Sequence, residues 1–356
     1  MINKLYVEGL NGRKKPLELV FEPDLNLLTG KNGSNKTTIL KILWFLNSGK
    51  IINLVKEVNF IYSEILTSKI RLSVRKSPEN NSINIGINDD KPIQISIANL
   101  REIELRRTVR IREKISEIYK LAVPTIFFPT FRRIEGGFSM EEGFDPRFGP
   151  TDEIRHSLEQ FSRRLSTRNQ RFITSISTDD IVALLNQEYT NINAENNLIQ
   201  KQKSDEIIRK IKKQGKNEKA TLAEIQSDIE FIENQREILL KPYTTLSNLI
   251  ANIFQHKGIN LSNLTLGEVN NAISSDKLSA GEKQMLSFIC YNAFTKNNII
   301  FIDEPELSLH PDWQRTLVPT LLNQGNNNQF FMATHSPFIY SKYSDKEIML
   351  SEDRGE

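Results

Sequence analysis

Two short segments near opposite ends of the 356-residue chain constrain its fold more than anything between them: Gly30-Lys31-Asn32-Gly33-Ser34-Asn35-Lys36-Thr37-Thr38 and Asn298-Ile299-Ile300-Phe301-Ile302-Asp303-Glu304-Pro305. The first follows a β-rich run, Leu25 to Leu28, and leads into a stretch with apolar residues at Ile39, Leu40, Ile42, Leu43 and Leu46, the spacing of a helix with one buried face. A glycine-rich turn between strand and helix offers backbone N–H groups to phosphates, with Lys36 for the outer phosphates and the Thr37 hydroxyl for Mg²⁺. The second is an apolar run ending in Asp-Glu, which predicts a buried strand delivering one carboxylate to the metal and one to a water. The two segments make one Mg·ATP site only if the fold brings the ends together.

Bulk properties set looser limits. Hydrophobic content of 38% beside 26% charged residues is ordinary for a globular protein, and the length accommodates one α/β unit with an inserted subdomain. A net charge of +3 carries no argument for nucleic acid, so any such case rests on local patches. The single cysteine, Cys290, lies among Leu286, Phe288 and Ile289, where burial as a small hydrophobe is expected, and one cysteine excludes an intrachain disulfide. The N-terminus lacks the apolar core of a signal peptide, and no run approaches the roughly 18 apolar residues of a membrane span. A cytoplasmic protein without membrane partners is expected.

Short β-rich runs at Lys4 to Leu10 and Leu17 to Glu22 precede the glycine loop. Alternations such as Ile83-Asn84-Ile85-Gly86-Ile87 and Ile93-Gln94-Ile95-Ser96-Ile97, split by Asn88-Asp89-Asp90-Lys91, predict an antiparallel hairpin. A charged helical stretch, Leu100 to Leu121, leads to the strand Thr125-Ile126-Phe127-Phe128. From Asp179 to about Phe254 the chain is polar and helical. Its second half alternates by three and four through Leu222, Ile225, Ile229, Ile232, Arg236 and Leu239, and its first half carries Leu185, Ile192 and Ile199 seven apart. With Lys212-Lys213-Gln214-Gly215-Lys216-Asn217 as the tip, an antiparallel arm of ~30 residues per leg reaches ~45 Å; a helical lobe on the core is the alternative. Helix, strand, helix, strand then follow from Leu278 onward.

The order of motifs is more specific than any one of them. After the glycine loop come Leu278-Ser279-Ala280-Gly281-Glu282-Lys283-Gln284, Asp303-Glu304-Pro305-Glu306-Leu307-Ser308-Leu309-His310-Pro311 and Thr334-His335-Ser336. This series resembles the ABC-type ATPase superfamily, in its DNA-associated branch of SMC-like, RecF-like and OLD-like proteins, over roughly residues 1 to 50, 120 to 135 and 270 to 350. The segment Phe127 to Glu135 is similar to one in ATPases of bacterial anti-phage systems, including the ATPase subunit of PARIS-type systems. The fold class implied is α/β: an ABC-ATPase head with mixed β-sheets flanked by helices, plus an inserted helical hairpin or coiled-coil subdomain. The head then occupies residues 1–135 and 271–356, and the insert residues 136–270.

The resemblance also implies roles. Asn32, Gly33, Ser34, Asn35, Lys36, Thr37 and Thr38 bind the nucleotide; Thr37 and Asp303 hold Mg²⁺; Glu304 orients or deprotonates the attacking water; His335 senses the γ-phosphate. Ser279, Ala280, Gly281 and Glu282 open a helix that meets ATP held by a second subunit, so that ATP joins a homodimer or higher homo-oligomer; Ser279 and Glu282 also have the spacing of a capping box. Arg132 and Arg133 stand as accessory candidates for phosphate or the dimer seam, against a surface ion pair. The sequence places no transporter-type glutamine loop; Gln94 is only a candidate for it. One position departs from the pattern: Asn35 replaces the glycine before the lysine, which costs about 1 kcal/mol in left-handed backbone and implies slow turnover.

Basic runs at Arg106-Arg107, Arg110 and Arg112, and at Arg163-Arg164, Arg168 and Arg171, offer contact with a nucleic-acid backbone, although glutamates interleave the first run as on a solvated helix face. Three functional expectations arise. In the first, ATP-dimerised heads act as sensor or scaffold for a separate effector, a nuclease, in prokaryotic anti-phage defence; the stretch after Ser336 is shorter than the TOPRIM nuclease domain that OLD nucleases carry in cis. The second is a repair or recombination ATPase that clamps DNA, though the arm lacks a Cys-X-X-Cys hook. The third is a nucleotide-dependent scaffold with little turnover.

Overall fold

The computed structural model describes residues 1–77, 80–97, 118–130, 133–134, 160–167, 169–176, 178–212, 218–253 and 278–352. They form two units, one of residues 1–175 and 295–356, the other of residues 176–294. The head–insert boundaries expected after residues 135 and 270 fall in stretches outside the described residues, as do residues 98–117 with the first basic run, Arg132 and Arg168.

The first unit contains two six-stranded sheets. One is an antiparallel meander in the order β2-β1-β4-β5-β6-β7, made of β1 (Ile2–Glu8), β2 (Leu17–Val20), β4 (Tyr62–Thr67), β5 (Arg71–Ser77), β6 (Ser82–Ile87) and β7 (Ile93–Ser96). Its strands alternate as a half-buried sheet requires: Leu5, Val7, Ile65, Leu72, Val74, Ile83 and Ile85 face inward, while Lys4, Glu18 and Arg71 stay in water. The predicted hairpin is present, with Ile83 opposite Ile95 and Ile85 opposite Ile93.

The other sheet is parallel throughout, in the order β10-β8-β12-β13-β3-β14. Its strands are β3 (Leu25–Thr29), β8 (Thr125–Phe128), β10 (Gln170–Phe172), β12 (Ile299–Asp303), β13 (Gln329–Ala333) and β14 (Glu347–Met349). β3, β8, β12 and β13 are buried at every position, as continuous apolar runs covered on both faces must be. Helix α1 (Lys36–Asn47) follows β3 directly, and α2 (Ile51–Glu57) follows α1. The core between them is aromatic: Phe127 contacts Trp44, Phe172 and Phe301, and Phe301 contacts Phe331 at ring separations of 5.2 to 5.8 Å.

One buried side chain reaches from the parallel sheet to the first strand of the meander. Gln329, fully buried at the start of β13, accepts the Ile2 N–H at 2.8 Å and donates to the carbonyls of Ile2 at 2.7 Å and Glu22 at 2.8 Å. It satisfies the Ile2 backbone at the start of β1 and shares the Glu22 carbonyl with the Asn26 amide, which donates to it at 2.9 Å. Two-residue strands β9 (Arg133–Ile134) and β11 (Ser175–Ile176) complete the strand count among the described residues.

The second unit is helical. α3 (Thr178–Lys212) and α4 (Glu218–Ile253), of 35 and 36 residues, are each about 53 Å long at 1.5 Å per residue. They run antiparallel, because Leu185 meets Tyr243, Tyr189 meets Tyr243 and Lys203 meets Asp228, so that rising numbers on one helix face falling numbers on the other. The expected stripe on α4 is corrected in phase. Ile225, Asp228, Ile232, Gln235 and Leu239 are half-buried, whereas Ile229 and Arg236 are exposed. Asp228 is accommodated because Lys203 of α3 lies 3.7 Å away. α5 (Ala280–Ala293) belongs to the same unit and buries Cys290 completely, which pushes its thiol pKa up and matches the expected role as a small hydrophobe.

Candidate functional site

In an open parallel sheet, ligands bind beyond the carboxyl ends of the strands. Here Leu28 of β3, Ala333 of β13 and Asp303 of β12 stand in register, with Phe128 of β8 beside Ile302, so four strands end at one level. The loops that leave them carry Gly30 to Asn35, Thr334-His335-Ser336, Glu304 to His310, and Pro129-Thr130.

The glycine loop is shaped by backbone that L side chains resist. Gly30 lies at φ 136° and Gly33 at φ 81°, and a Cβ at Gly30 would come within 2.6 Å of Ser351 Oγ and 2.9 Å of Ser34 Oγ. The Ser351 hydroxyl also accepts the Lys31 N–H at 3.0 Å, so the segment after β14 braces the loop. Asn35 occupies the N-cap of α1 at φ 75°, a left-handed position normally given to glycine, and makes no cap bond. Its side-chain oxygen instead accepts from the Asn11 amide at 2.6 Å. The Ser34 hydroxyl oxygen is buried without a hydrogen-bond partner, an orphan polar atom facing the loop's interior.

Lys36 and Thr37 begin α1. The Lys36 ammonium donates to the carbonyls of Gly30 at 2.7 Å and Lys31 at 3.3 Å, while burial lowers its pKa against the opposing pull of Glu304, Glu306 and Asp303. The Thr37 hydroxyl donates to Asp303 Oδ1 at 3.0 Å, which joins residues 266 positions apart. The second oxygen, Asp303 Oδ2, accepts from the hydroxyl of Thr130, the residue that follows β8 by two positions. Thr38 lies half-buried in the same first turn, and Asn32 is exposed at the loop's crest.

Glu304 leaves β12 at φ 49°, uncommon for a glutamate and a form of strain that gathers at active sites, with its N–H held on the Ala333 carbonyl at 2.8 Å. His335 is partly buried; burial lowers its pKa first, Lys36 lowers it further, and Glu306 and Asp303 oppose both. Burial and Lys36 thus both favour the uncharged imidazole. The structure thus brings Lys36, Thr37, Asp303, Glu304 and His335 to one end of one sheet.

The other expected residues belong to other elements. Ser279 caps α5: its side chain accepts from the Glu282 N–H at 3.3 Å while its own N–H donates to Glu282 Oε2 at 2.6 Å, the reciprocal capping box. Ala280 and Gly281 form the first turn of that helix, within the second unit. Arg133 opens β9, and Arg163, Arg164 and Arg171 belong to the first unit, the first two exposed. Gln94 sits in β7 with its amide on the Ser82 hydroxyl at 2.9 Å, so it belongs to the meander and supplies no glutamine loop. Thr130 stands where a strand-end polar group meets Asp303. Sequence reading missed it, although its place two residues beyond an apolar strand was a signal.

Among the described residues no group of three or more His, Cys, Asp or Glu forms a metal cage. Mg²⁺ requires none, since one or two carboxylates plus substrate phosphates commonly hold it. Asp303 with the Thr37 hydroxyl beside it is a hard oxygen pair of that kind.

The family model of the AAA ATPase domain matches residues 1–340. The chain belongs to the AAA ATPase domain family. As a member it is a nucleotide-binding protein, in agreement with the motif resemblance to SMC-, RecF- and OLD-like ATPases. It is 28% identical over 138 residues to the retron Vc95 probable ATPase of Vibrio cholerae serotype O1 biovar El Tor, covering 35% of this chain and 26% of that protein. It is 32% identical over 100 residues to the retron Ec83 probable ATPase of Escherichia coli, covering 24% of this chain and 18% of the relative. With the endonuclease GajA of Bacillus cereus (strain VD045) it shares 40% identity over 75 residues, 19% of this chain and 13% of that one. The matches thus span about a quarter or less of these relatives' lengths. Among solved structures, the Smc head domain with an extended coiled coil derived from Pyrococcus furiosus aligns over 99% of this chain and 94% of its own, at 16% identity and a TM-score of 0.45. No described helix of this AAA ATPase is long and apolar enough to cross a membrane.

Proposed function

We propose that the protein binds Mg·ATP at the carboxyl ends of β3, β12 and β13 and hydrolyses it to ADP and phosphate, as the sensor or scaffold of a prokaryotic anti-phage system. The observation that carries the reading is the Thr37–Asp303 hydrogen bond, which places the helix that follows the phosphate loop against the strand-end carboxylate. The loop's backbone N–H groups and the Ser34 hydroxyl take phosphate oxygens, and Lys36 exchanges its two carbonyl partners for the outer phosphates. Thr37 and Asp303 hold Mg²⁺, which neutralises charge on the phosphates. Glu304 orients a water against the γ-phosphorus and accepts its proton as the water oxygen bonds to phosphorus and the bond to the β-phosphate oxygen breaks. His335, uncharged, donates one N–H to the γ-phosphate.

Ser279 to Glu282 act on the nucleotide of a second copy, through the helix N-terminus that the capping box leaves in order. ATP then joins two heads. The similarity to two retron ATPases and to an endonuclease supports a defence role with a nuclease as effector, supplied as a separate protein or by further chain.

The test is phosphate release by the purified protein. Lys36→Ala and Glu304→Gln are each expected to lower turnover by about a hundredfold or more, with ATP still bound by Glu304→Gln. Turnover equal in wild type and Lys36→Ala would sink the proposal.

A further inference from the structure

Beyond the residues that meet phosphate and metal, one carboxylate links the two loops that carry Glu304 and His335. Glu306 uses both oxygens: Oε2 accepts from the Thr334 hydroxyl at 2.8 Å and Oε1 accepts from the His335 backbone N–H at 2.7 Å. These bonds span 28 and 29 positions of sequence. The Thr334 hydroxyl in turn accepts the Ser336 N–H at 3.0 Å, and the Ser336 hydroxyl donates to Gln314 Oε1. The Gln314 amide donates to the Leu309 carbonyl at 2.7 Å. The circuit therefore begins and ends on the turn 306–309 and passes through every residue of Thr334-His335-Ser336.

Geometry decides what such a circuit does. Thr334, just past β13, is fully buried and still held by the sheet through its N–H on the Leu28 carbonyl at 3.1 Å, but His335 lies one position further, where the sheet no longer fixes the backbone. Its N–H has no strand partner; the Glu306 carboxylate supplies the bond. Two charge-assisted bonds from a single carboxylate fix the peptide plane on which the imidazole is mounted. The turn that holds Glu306 is itself constrained, with Glu304 at φ 49°, Ser308 at φ 68° and the Leu309 N–H on the Glu306 carbonyl at 3.0 Å.

We propose that Glu306 is a positioning residue that sets His335 at the γ-phosphate and makes its placement depend on the turn following Glu304. The idea rests on the ATP reading above. A ligand that tells ATP from ADP through His335 then moves Glu306 and, through it, the exposed Leu307 and Ser308 of the same turn. A change in nucleotide state would leave the site by that route.

The measurement is the ratio of ADP to ATP dissociation constants in Mg²⁺, by competition against a fluorescent ATP analogue, for wild type, Glu306→Gln, His335→Ala and the double variant, with melting temperatures recorded beside them. Glutamine keeps size and one acceptor but turns an amide donor toward one of the two donors. Glu306→Gln is expected to lower the ATP preference by about tenfold, the equivalent of one charge-assisted hydrogen bond. ADP affinity stays unchanged, and His335→Ala adds nothing further in the double variant. Additive losses, a fall in ADP and ATP affinity together, or a wild type with no ATP preference would each overturn the proposal. Thr334→Ser, which keeps the hydroxyl, is expected to behave as wild type, and Thr334→Val to lose preference with Glu306 intact. If wild type prefers ATP yet releases no phosphate, hydrolysis fails and the positioning role stands.

Discussion

The sheet unit and the helical hairpin hold themselves together by opposite means. In the sheet unit the decisive bonds join residues far apart in sequence, through side chains drawn wholly or partly out of water: Gln329 to Ile2 and Glu22, Thr37 to Asp303, Glu306 to Thr334. Each of these polar groups has a fixed partner, so removing one leaves another stranded. In the hairpin the half-buried positions of α4 mix Asp228 and Gln235 with isoleucines, and large apolar residues such as Leu198, Ile229 and Ile238 remain in water. A buried polar group specifies structure only where its partner is fixed; the same residue type at the two places should therefore have effects of opposite sign.

Glutamine provides the sharpest contrast. Gln329→Leu takes the side-chain partner from the Ile2 N–H and carbonyl, while the Glu22 carbonyl keeps the Asn26 amide at 2.9 Å; the loss is expected to cost about 3 kcal/mol in denaturant unfolding of the sheet unit. A change under about 1 kcal/mol would mean that water replaces the amide and that the two sheets are not held by it. Thr130→Val removes one of the two hydroxyl donors to Asp303; the Mg²⁺ concentration needed for half-maximal ATP binding is expected to rise roughly tenfold with little change in melting. Magnesium dependence equal to wild type would show that Thr37 alone orients the carboxylate. Gln235→Leu, at a half-buried position of α4, is expected to stabilise that unit by about 1 kcal/mol, read by amide exchange along residues 218–253. Loss of protection there would show that Gln235 is part of a fixed network after all, and the contrast between the units would fail.

What could be read from the sequence divides along the same line. The strand, glycine loop and α1 were readable because each is a local pattern, and Asp303 because an apolar run ending in acid has few other meanings. The hairpin's existence was readable from its length and polarity, but its phase was not. Ile225, Ile229 and Ile232 fit a three-four alternation as well as Ile225, Asp228 and Ile232 do, and only Lys203 on the opposite helix makes the second choice possible. Glu306, Thr130 and Gln329 were hidden for a related reason: their roles are defined by partners far away in sequence, and nothing adjacent to them in the chain reports it. Gln94 shows the same limit from the other side: residue type alone made it a candidate, and its pairing neighbours in β6 and β7 put it in the meander.

The strand that carries the phosphate loop lies between β13 and β14, and the loop itself rests on Ser351. During synthesis, residues 25–35 leave the ribosome long before either flanking strand exists, and the glycine loop is left without its supports until residue 351 has been added. A truncated product lacking β13 and β14 would carry the whole glycine motif without the strands and the serine that shape it, so on the ATP reading proposed above it would not hold nucleotide.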